Sequence, residues 1–480
     1  MAAKKEDVNV PPGEARCPGV SWNDLLGEDS RPVPDVLTRE VYQYRGSEPI
    51  AASRYTDPAF FRAELAKMWP RVWQWAAREE DMPEPGDTVV YENAGRSYLV
   101  TRQPDGSVRA FHNVCLHRGR KLRDADGWAS EFQCPFHGFT WGTDGALKNI
   151  PCRWDFPHLN ETNLRLPEAS VGRWGGYIFV RENEGGPSLE EYLAPLPEHF
   201  KLWKHEDCTT AIWVGKVVPA NWKAVMEAFM EAWHTPVTHP QIMPFTGDAN
   251  TSYNIYGDNV NVAFTPFGVM SPHLDPKAHN QQWIVDEFVK YNGRSADNYD
   301  AGEEGSAAAA NEEGGFNVKV PAGVTARKAL GQSMRDGYTK MYGHDHSQAT
   351  DSELLDALVY NVFPNFAPWG GFMPNIVYRW RPWPDQDKTL MEVRILTRVP
   401  KGTKAGRGVP MKFIPENRPW TDAPELGVLA DVFEQDMVNL PLVQEGLKVS
   451  KTGLVQFGNY QEIRIRQFQQ TLDKYLAREG

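Results

Sequence analysis

Between residues 87 and 185 the chain reads as short β-type runs punctuated by turn residues. In "DTVVYENAGRSYLVTRQPDGSVRAFHNV" the triplet Pro104-Asp105-Gly106 separates two strand-like segments, which predicts antiparallel sheet. The pattern continues through "FTWGTDGALKNI" and "WGGYIFVREN" to about residue 185. There "GGPSLEEYLAPLPEHF" brings a Gly/Pro break and then a helical turn, so a domain boundary is expected. Beyond it, "NWKAVMEAFMEAWH" places Trp222, Val225, Met226, Phe229, Met230 and Trp233 at helical spacing, whereas "GFMPNIVYRWRPW" and "TLMEVRILTRV" read as strands. The second unit is therefore expected to be mixed α+β. Residues 296–315, "ADNYDAGEEGSAAAANEEGG", are acidic and poor in large apolar groups, and cannot bury enough surface to offset their ordering entropy. They read as an inserted loop or flap at an active-site mouth, or as a plain solvated insertion. No internal repeat is evident.

A length of 480 residues favours two or more packed units, and 41% hydrophobic content is enough to give them cores. The formal net charge of −12 argues against a nucleic-acid binder. The first twenty residues hold no apolar signal region, and no window approaches eighteen uninterrupted apolar residues, so no membrane span is expected. Five cysteines, Cys17, Cys115, Cys134, Cys152 and Cys208, are an odd number in such a chain. Together these features suggest a reducing cytoplasm, where Cys and His more often hold metal than form disulfides.

In "CLHRGRKLRDADGWASEFQCPFHGFTW" Cys115 and His117 are two apart and Cys134 and His137 three apart. Two sulfurs and two imidazoles suit tetrahedral zinc, and equally a two-iron, two-sulfur cluster with both cysteines on one iron and both histidines on the other. Spacing alone does not decide. The hairpin-type setting, with Gly119 and Gly138 after each pair, favours the cluster, because glycine lets backbone N–H groups approach bridging sulfides. Arg118, Arg120, Lys121 and Arg123 add four cations beside the first pair, which suits an acidic electron donor or an ordinary solvated loop.

A second constellation closes the helical pattern in "NWKAVMEAFMEAWHTPVTHP". Glu231 and His234, three apart, are expected on one helical face, with Pro236 ending the helix so that His239 curls back. Two histidines and a remote carboxylate make the facial triad of non-haem Fe(II). "DVFEQDMVNLPLVQEGL" offers Asp431, Glu434 and Asp436 as that carboxylate.

"CLHRGRKL" and "CPFHGFTW" resemble the C-x-H-R-G and C-P-x-H-G-x-x-W loops of Rieske non-haem iron ring-hydroxylating oxygenases, and the chain resembles their α, or terminal oxygenase, subunit over roughly residues 50–450. Asn221, Trp222, Lys223, Glu227, Glu231, His234 and His239 match the family's catalytic signature, with Ala228 where Asn is frequent and Glu231 where ring-dihydroxylating members usually have Asp. The resemblance implies an α+β protein in three parts. Residues 1–50 would be an N-terminal extension packing on the catalytic domain, and 51–185 an all-β Rieske [2Fe-2S] domain. Residues 186–480 would be a catalytic domain of antiparallel sheet packed with helices, of the helix-grip or START-like kind, with a flexible acidic insertion near 291–350. It further implies that Cys115, His117, Cys134 and His137 hold the cluster and that His234, His239 and Asp436 hold Fe(II), with Glu434 as the runner-up to Asp436. In a head-to-tail homotrimer, or a multiple of it that could include a β subunit, Glu231 would bridge His137 of one chain to His234 of the next.

The implied function is a terminal oxygenase that takes electrons from NAD(P)H through a reductase or ferredoxin and uses O2 to hydroxylate a hydrophobic, aromatic substrate. Oxidative O- or N-demethylation is the alternative within the family, and a non-catalytic Rieske electron carrier a remoter one. The aromatic and Met-rich stretches 261–272 and 360–380 offer Phe264, Phe267, Met270, Phe363, Phe366, Trp369, Phe372 and Met373 as pocket candidates.

Overall fold

The computed structural model describes residues 10–160, 162, 164–297, 318–372 and 375–478, whose strands form four sheets. One has seven strands in the order Gln74–Arg78, Tyr177–Arg181, Glu168–Trp174, Val108–His112, Arg96–Arg102, Asp87–Asn93 and Gly127–Trp128, each antiparallel to its neighbours. The Pro104-Asp105-Gly106 turn closes with Gly106 donating to Gln103 O at 3.0 Å. Its φ of 81° is the left-handed conformation that glycine adopts without strain. Alternation along the strands divides their side chains between two cores. Tyr98 and Val100 pack with Val108, Ala110, Ile178 and Val180, whereas Leu99 and Phe111 pack with Phe132, Phe139 and Trp141 under the two Cys/His loops. Those loops flank a three-stranded sheet of Glu131–Gln133, Thr140–Gly142 and Leu147–Asn149.

The other large sheet has eight strands, ordered Ser252–Tyr256, Val260–Thr265, Ala357–Val362, Phe366–Gly370, Asn375–Pro382, Thr389–Arg398, Cys208–Val218 and Lys412–Ile414. All pair antiparallel except the last, which runs parallel to Cys208–Val218. The helix Val428–Val449 buries Ala430, Phe433, Asp436, Leu440 and Gln444, a spacing of three to four residues that defines one face. That face carries Asp436 inward and leaves Asp431 exposed.

The N-terminal segment lies on this second unit. Trp22 stacks on Phe264 at 5.4 Å and Ile50–Ala51 pairs with Leu454–Val455. The two units meet at buried arginines: Arg379 makes a bidentate pair with Glu392, 2.7 Å on each arm, and reaches across to Trp75 O.

Two expectations need correction. The acidic insertion was placed near 291–350, but Gln281–Asp297 and Ala326–Tyr342 are helices whose apolar residues Ile284, Phe288 and Leu330 join one core with Phe245. Residues 298–317, most of the low-hydrophobicity stretch, lie outside the described residues. The single helix expected over 221–234 is also wrong: helix Trp222–Glu227 stops after six residues and a new one spans Thr235–Thr238. Pro236 therefore opens the second helix, near its first turn, where a missing N–H costs nothing. Among the described residues no helix is long and apolar enough to cross a membrane.

Candidate metal centres and cavity

The two Cys/His loops repeat one backbone device. Gly119 N–H donates to Cys115 O and Gly138 N–H to Cys134 O, both at 2.9 Å. Cys115 and Cys134 then donate onward to Arg120 O and Phe139 O at 2.8 Å. Gly138 has φ 74°, and a Cβ there would lie 3.0 Å from Pro151 Cγ, so this loop has room only for glycine. Backbone N–H groups of His117 and Arg118 face the Cys115 sulfur, and those of Phe136 and His137 face Cys134. Burial pushes the Cys115 thiol up. At Cys134 burial pushes the same way, but the backbone donors outweigh it and hold the thiol below its usual range. The His117 and His137 rings sit 4.7 Å apart, and His117 Nδ1 is buried without a hydrogen-bond partner, as suits an atom reserved for a metal. Two close sulfurs, two close imidazoles and inward N–H groups fit an iron–sulfur cluster. Of the four nearby cations, Lys121 pairs with Glu92, Arg120 bonds Lys121 O, and Arg123 bonds Ala125 O. Arg118 lies over the exposed Phe136 ring at 5.5 Å.

In the second unit His234, His239 and Asp436 converge, each offering a ligand atom within 4.8 Å of the others. Asp436 Oδ1 lies 3.2 Å from His239 Nε2 and 3.9 Å from His234 Nε2. Both imidazoles turn Nε2 to the shared point because Nδ1 is held from behind: His239 donates to Gln435 Oε1 at 2.8 Å and His234 to Glu231 Oε1. Burial disfavours the His234 imidazolium, but Glu231 and Asp436 outweigh burial and raise its pKa. Two neutral imidazole nitrogens and one carboxylate suit a non-haem iron with open positions.

Glu231 reaches this place without a helix. Its Oε2 accepts from its own chain at Trp233 N, 2.7 Å, and His234 N, 3.2 Å, which folds a tight turn and clamps the carboxylate. Glu434 is spent elsewhere, accepting from Trp420 N at 2.8 Å. Gln435 and Gln241, bonded to each other at 2.7 Å, escaped the sequence reading, since a glutamine beside a ligand carries no motif.

The trio opens onto a cavity of about 440 Å³. Of the pocket candidates, Phe267 and Trp369 line it. Phe264, Phe363 and Phe366 are instead core residues, the first two stacked on Trp22 and Tyr475 and the third tilted against Trp75. Met270 and Phe372 pack into neighbouring clusters, and Met373 lies outside the described residues. The walls also take Phe245, Phe288, Leu330, Met334 and Tyr338 from segments around or within the supposed insertion.

Residues 72–160 match the Rieske [2Fe-2S] domain model, and residues 198–478 match the ring hydroxylating alpha subunit (catalytic domain) model. The large oxygenase component of the naphthalene 1,2-dioxygenase system of Pseudomonas fluorescens is 36% identical over 191 residues, covering 38% of this chain and 42% of that one. Choline monooxygenase of Spinacia oleracea is 30% identical over 194 residues, covering 39% and 44%. The chain thus spans less than half the length of these curated relatives. A solved naphthalene 1,2-dioxygenase with indole in its active site shares the fold at TM-score 0.61 and 19% identity, over 91% of this chain and 94% of that one. The catalytic-domain match alone covers more than half of the 480 residues, and the chain belongs to the family of Rieske [2Fe-2S], mononuclear-iron ring-hydroxylating oxygenase α subunits.

Proposed function

We propose that this protein is the terminal oxygenase of a multicomponent system that hydroxylates a hydrophobic, aromatic substrate with O2 and electrons from NAD(P)H. The observation that carries this reading is the joint presence of the paired Cys/His loops and a His234/His239/Asp436 trio at the wall of a largely apolar cavity. In it, Cys115, Cys134, His117 and His137 hold the cluster, and His234, His239 and Asp436 hold the iron. When bound there, the cluster would supply one-electron transfer and the iron a coordination site for O2.

The chain's own residues do the rest. Glu231 and Gln435 fix the tautomers of both imidazoles, so that Nε2 faces the metal. Apolar walls exclude water around the reacting carbon. The clamped Glu231 carboxylate keeps one lone pair, on Oε1, for a second imidazole, which supports its role as a bridge to His137 of the next chain in a homotrimer. His137 is exposed and so free to meet a neighbour or a reductase or ferredoxin.

The likeness to choline monooxygenase favours, as a second reading, oxidation of a heteroatom-bearing carbon, including O- or N-demethylation. Oxygen uptake by the iron-loaded protein with a surrogate reductase, across aromatic hydrocarbons, methoxyaromatics and quaternary amines, tests the proposal. Substrate-dependent uptake with a hydroxylated product supports it. Iron and sulfide present without uptake on any class would leave an electron carrier.

A further inference from the structure

The cavity's chemistry narrows the substrate further, an inference that rests on the oxygenase reading above. Among the described residues its walls contain no lysine or arginine. Its carboxylates are engaged: Asp436 lies in the metal trio, Glu231 bonds His234, and Glu425 pairs with Lys412 at 3.0 Å. A carboxylate substrate would find no cation there and would pay for desolvation without a partner. A volume of about 440 Å³ also lies in the range of cavities that enclose drug-sized molecules, well beyond a small alkylammonium.

The walls are nevertheless not uniformly apolar. Tyr338, on the helix Ala326–Tyr342, and Tyr378, on the strand Asn375–Pro382, both line the cavity, and neither hydroxyl has a hydrogen-bond partner among the described residues. Burial pushes both phenols well above their usual range, so each stays a neutral O–H donor at any physiological pH. Tyr378 feels the charge of Asp436 and so stands on the metal side, whereas Tyr338 stands beside Tyr342 and His346, on a helix that gives no residue to the trio. A donor that opens onto the cavity without a protein partner favours a ligand that satisfies it.

We infer that the cavity takes a neutral, ring-based substrate of two or more fused rings that carries a hydrogen-bond-accepting oxygen, a carbonyl, ether or hydroxyl, held by Tyr338 with the rings directed toward His234, His239 and Asp436.

Equilibrium binding to the holoenzyme of four probes with one bicyclic skeleton tests this: naphthalene, 2-acetylnaphthalene, 2-naphthoate and (2-naphthylmethyl)trimethylammonium. The acetyl compound is expected to bind about tenfold more tightly than naphthalene, the scale of one neutral hydrogen bond, and 2-naphthoate more weakly than either. In Tyr338→Phe the acetyl-to-naphthalene ratio should fall to within about twofold of one, because only the donor is lost. The wild-type series stands without the variant should that fail to fold. A wild-type ratio near one, tightest binding by either ion, or an unchanged ratio in Tyr338→Phe overturns the inference. Iron and sulfide content of the same sample separates this from failure of the oxygenase reading, which would show as protein lacking either metal centre.

Discussion

Asp436 and Glu434 are two residues apart on one helix and do unlike things. Asp436 lies 3.2 Å from His239 Nε2 on the buried face, while Glu434 caps the Trp420 N–H. Asp436→Ala should therefore release the mononuclear iron and leave the cluster's visible spectrum intact, and Glu434→Ala should retain both. Iron counts on the two variants check this, and iron lost only from the Glu434 variant would reverse the assignment. Glu231→Gln keeps the side chain's shape but removes the charge between two imidazoles. It should retain both metals and slow reoxidation of the pre-reduced cluster by at least about tenfold, the scale expected for losing an outer partner of a metal ligand. Single-turnover stopped-flow with substrate bound reads this directly, and a wild-type rate would return Glu231 to a purely local role. The ligand-type residues were legible because their spacing carries chemistry. Gln435 and Gln241 were not, because amides that orient imidazoles can stand anywhere a helix or loop brings them near.

The apolar period over 221–234 promised one helix, yet the helix ends at Glu227. Met226 and Met230 are buried as the period requires, but Glu231 takes its own backbone N–H groups at Trp233 and His234 and so competes with helical bonds. Tertiary packing thus kept the hydrophobic pattern while local chemistry ended the element. The same holds for the pocket. Aromatic density in 360–380 points to Phe363 and Phe366, which fill the core, whereas Phe288, Leu330, Met334 and Tyr338 of the cavity wall come from helices flanking a segment whose composition reads as unstructured.

Glu227 ties its short helix to two others, accepting from Tyr55 Oη at 2.8 Å and Gln469 Nε2 at 2.6 Å. Burial pushes its carboxyl up from 4.5 to about 7, although both hydrogen bonds pull the other way. The folded state then binds the proton more tightly than the unfolded one, so this contribution to stability is full below about pH 4.5 and is lost as pH rises through about 7. The change is about 3 kcal/mol. Denaturant midpoints measured from pH 4 to 8 should fall across that window in the wild type and flatten in Glu227→Gln, and equal slopes would contradict the clamp.

At the scale of the whole molecule, the seam between the cluster-bearing unit and the catalytic sheet is held by buried charge. Burial raises the Glu392 carboxyl, but Arg379 and Arg381 overcome it and hold the pKa at about 2. A depressed carboxyl contributes stability that is full above its ordinary value of 4.5 and is lost only as pH falls toward 2, so the seam should survive mild acid. Arg379→Ala, which removes both arms of the bidentate pair and leaves Glu392 with Arg381 at 2.9 Å, should cost about 1–3 kcal/mol in chemical denaturation. The two ligand sets together imply one chain that carries two separate iron centres with disjoint ligands. Metal and acid-labile sulfide analysis of the wild type beside Cys134→Ser and His234→Ala tests it most directly. The wild type should hold about three irons and about two sulfides per chain, Cys134→Ser about one iron and no sulfide, and His234→Ala about two of each. Zinc without sulfide in the wild type, or loss of both centres together in either folded variant, would contradict it.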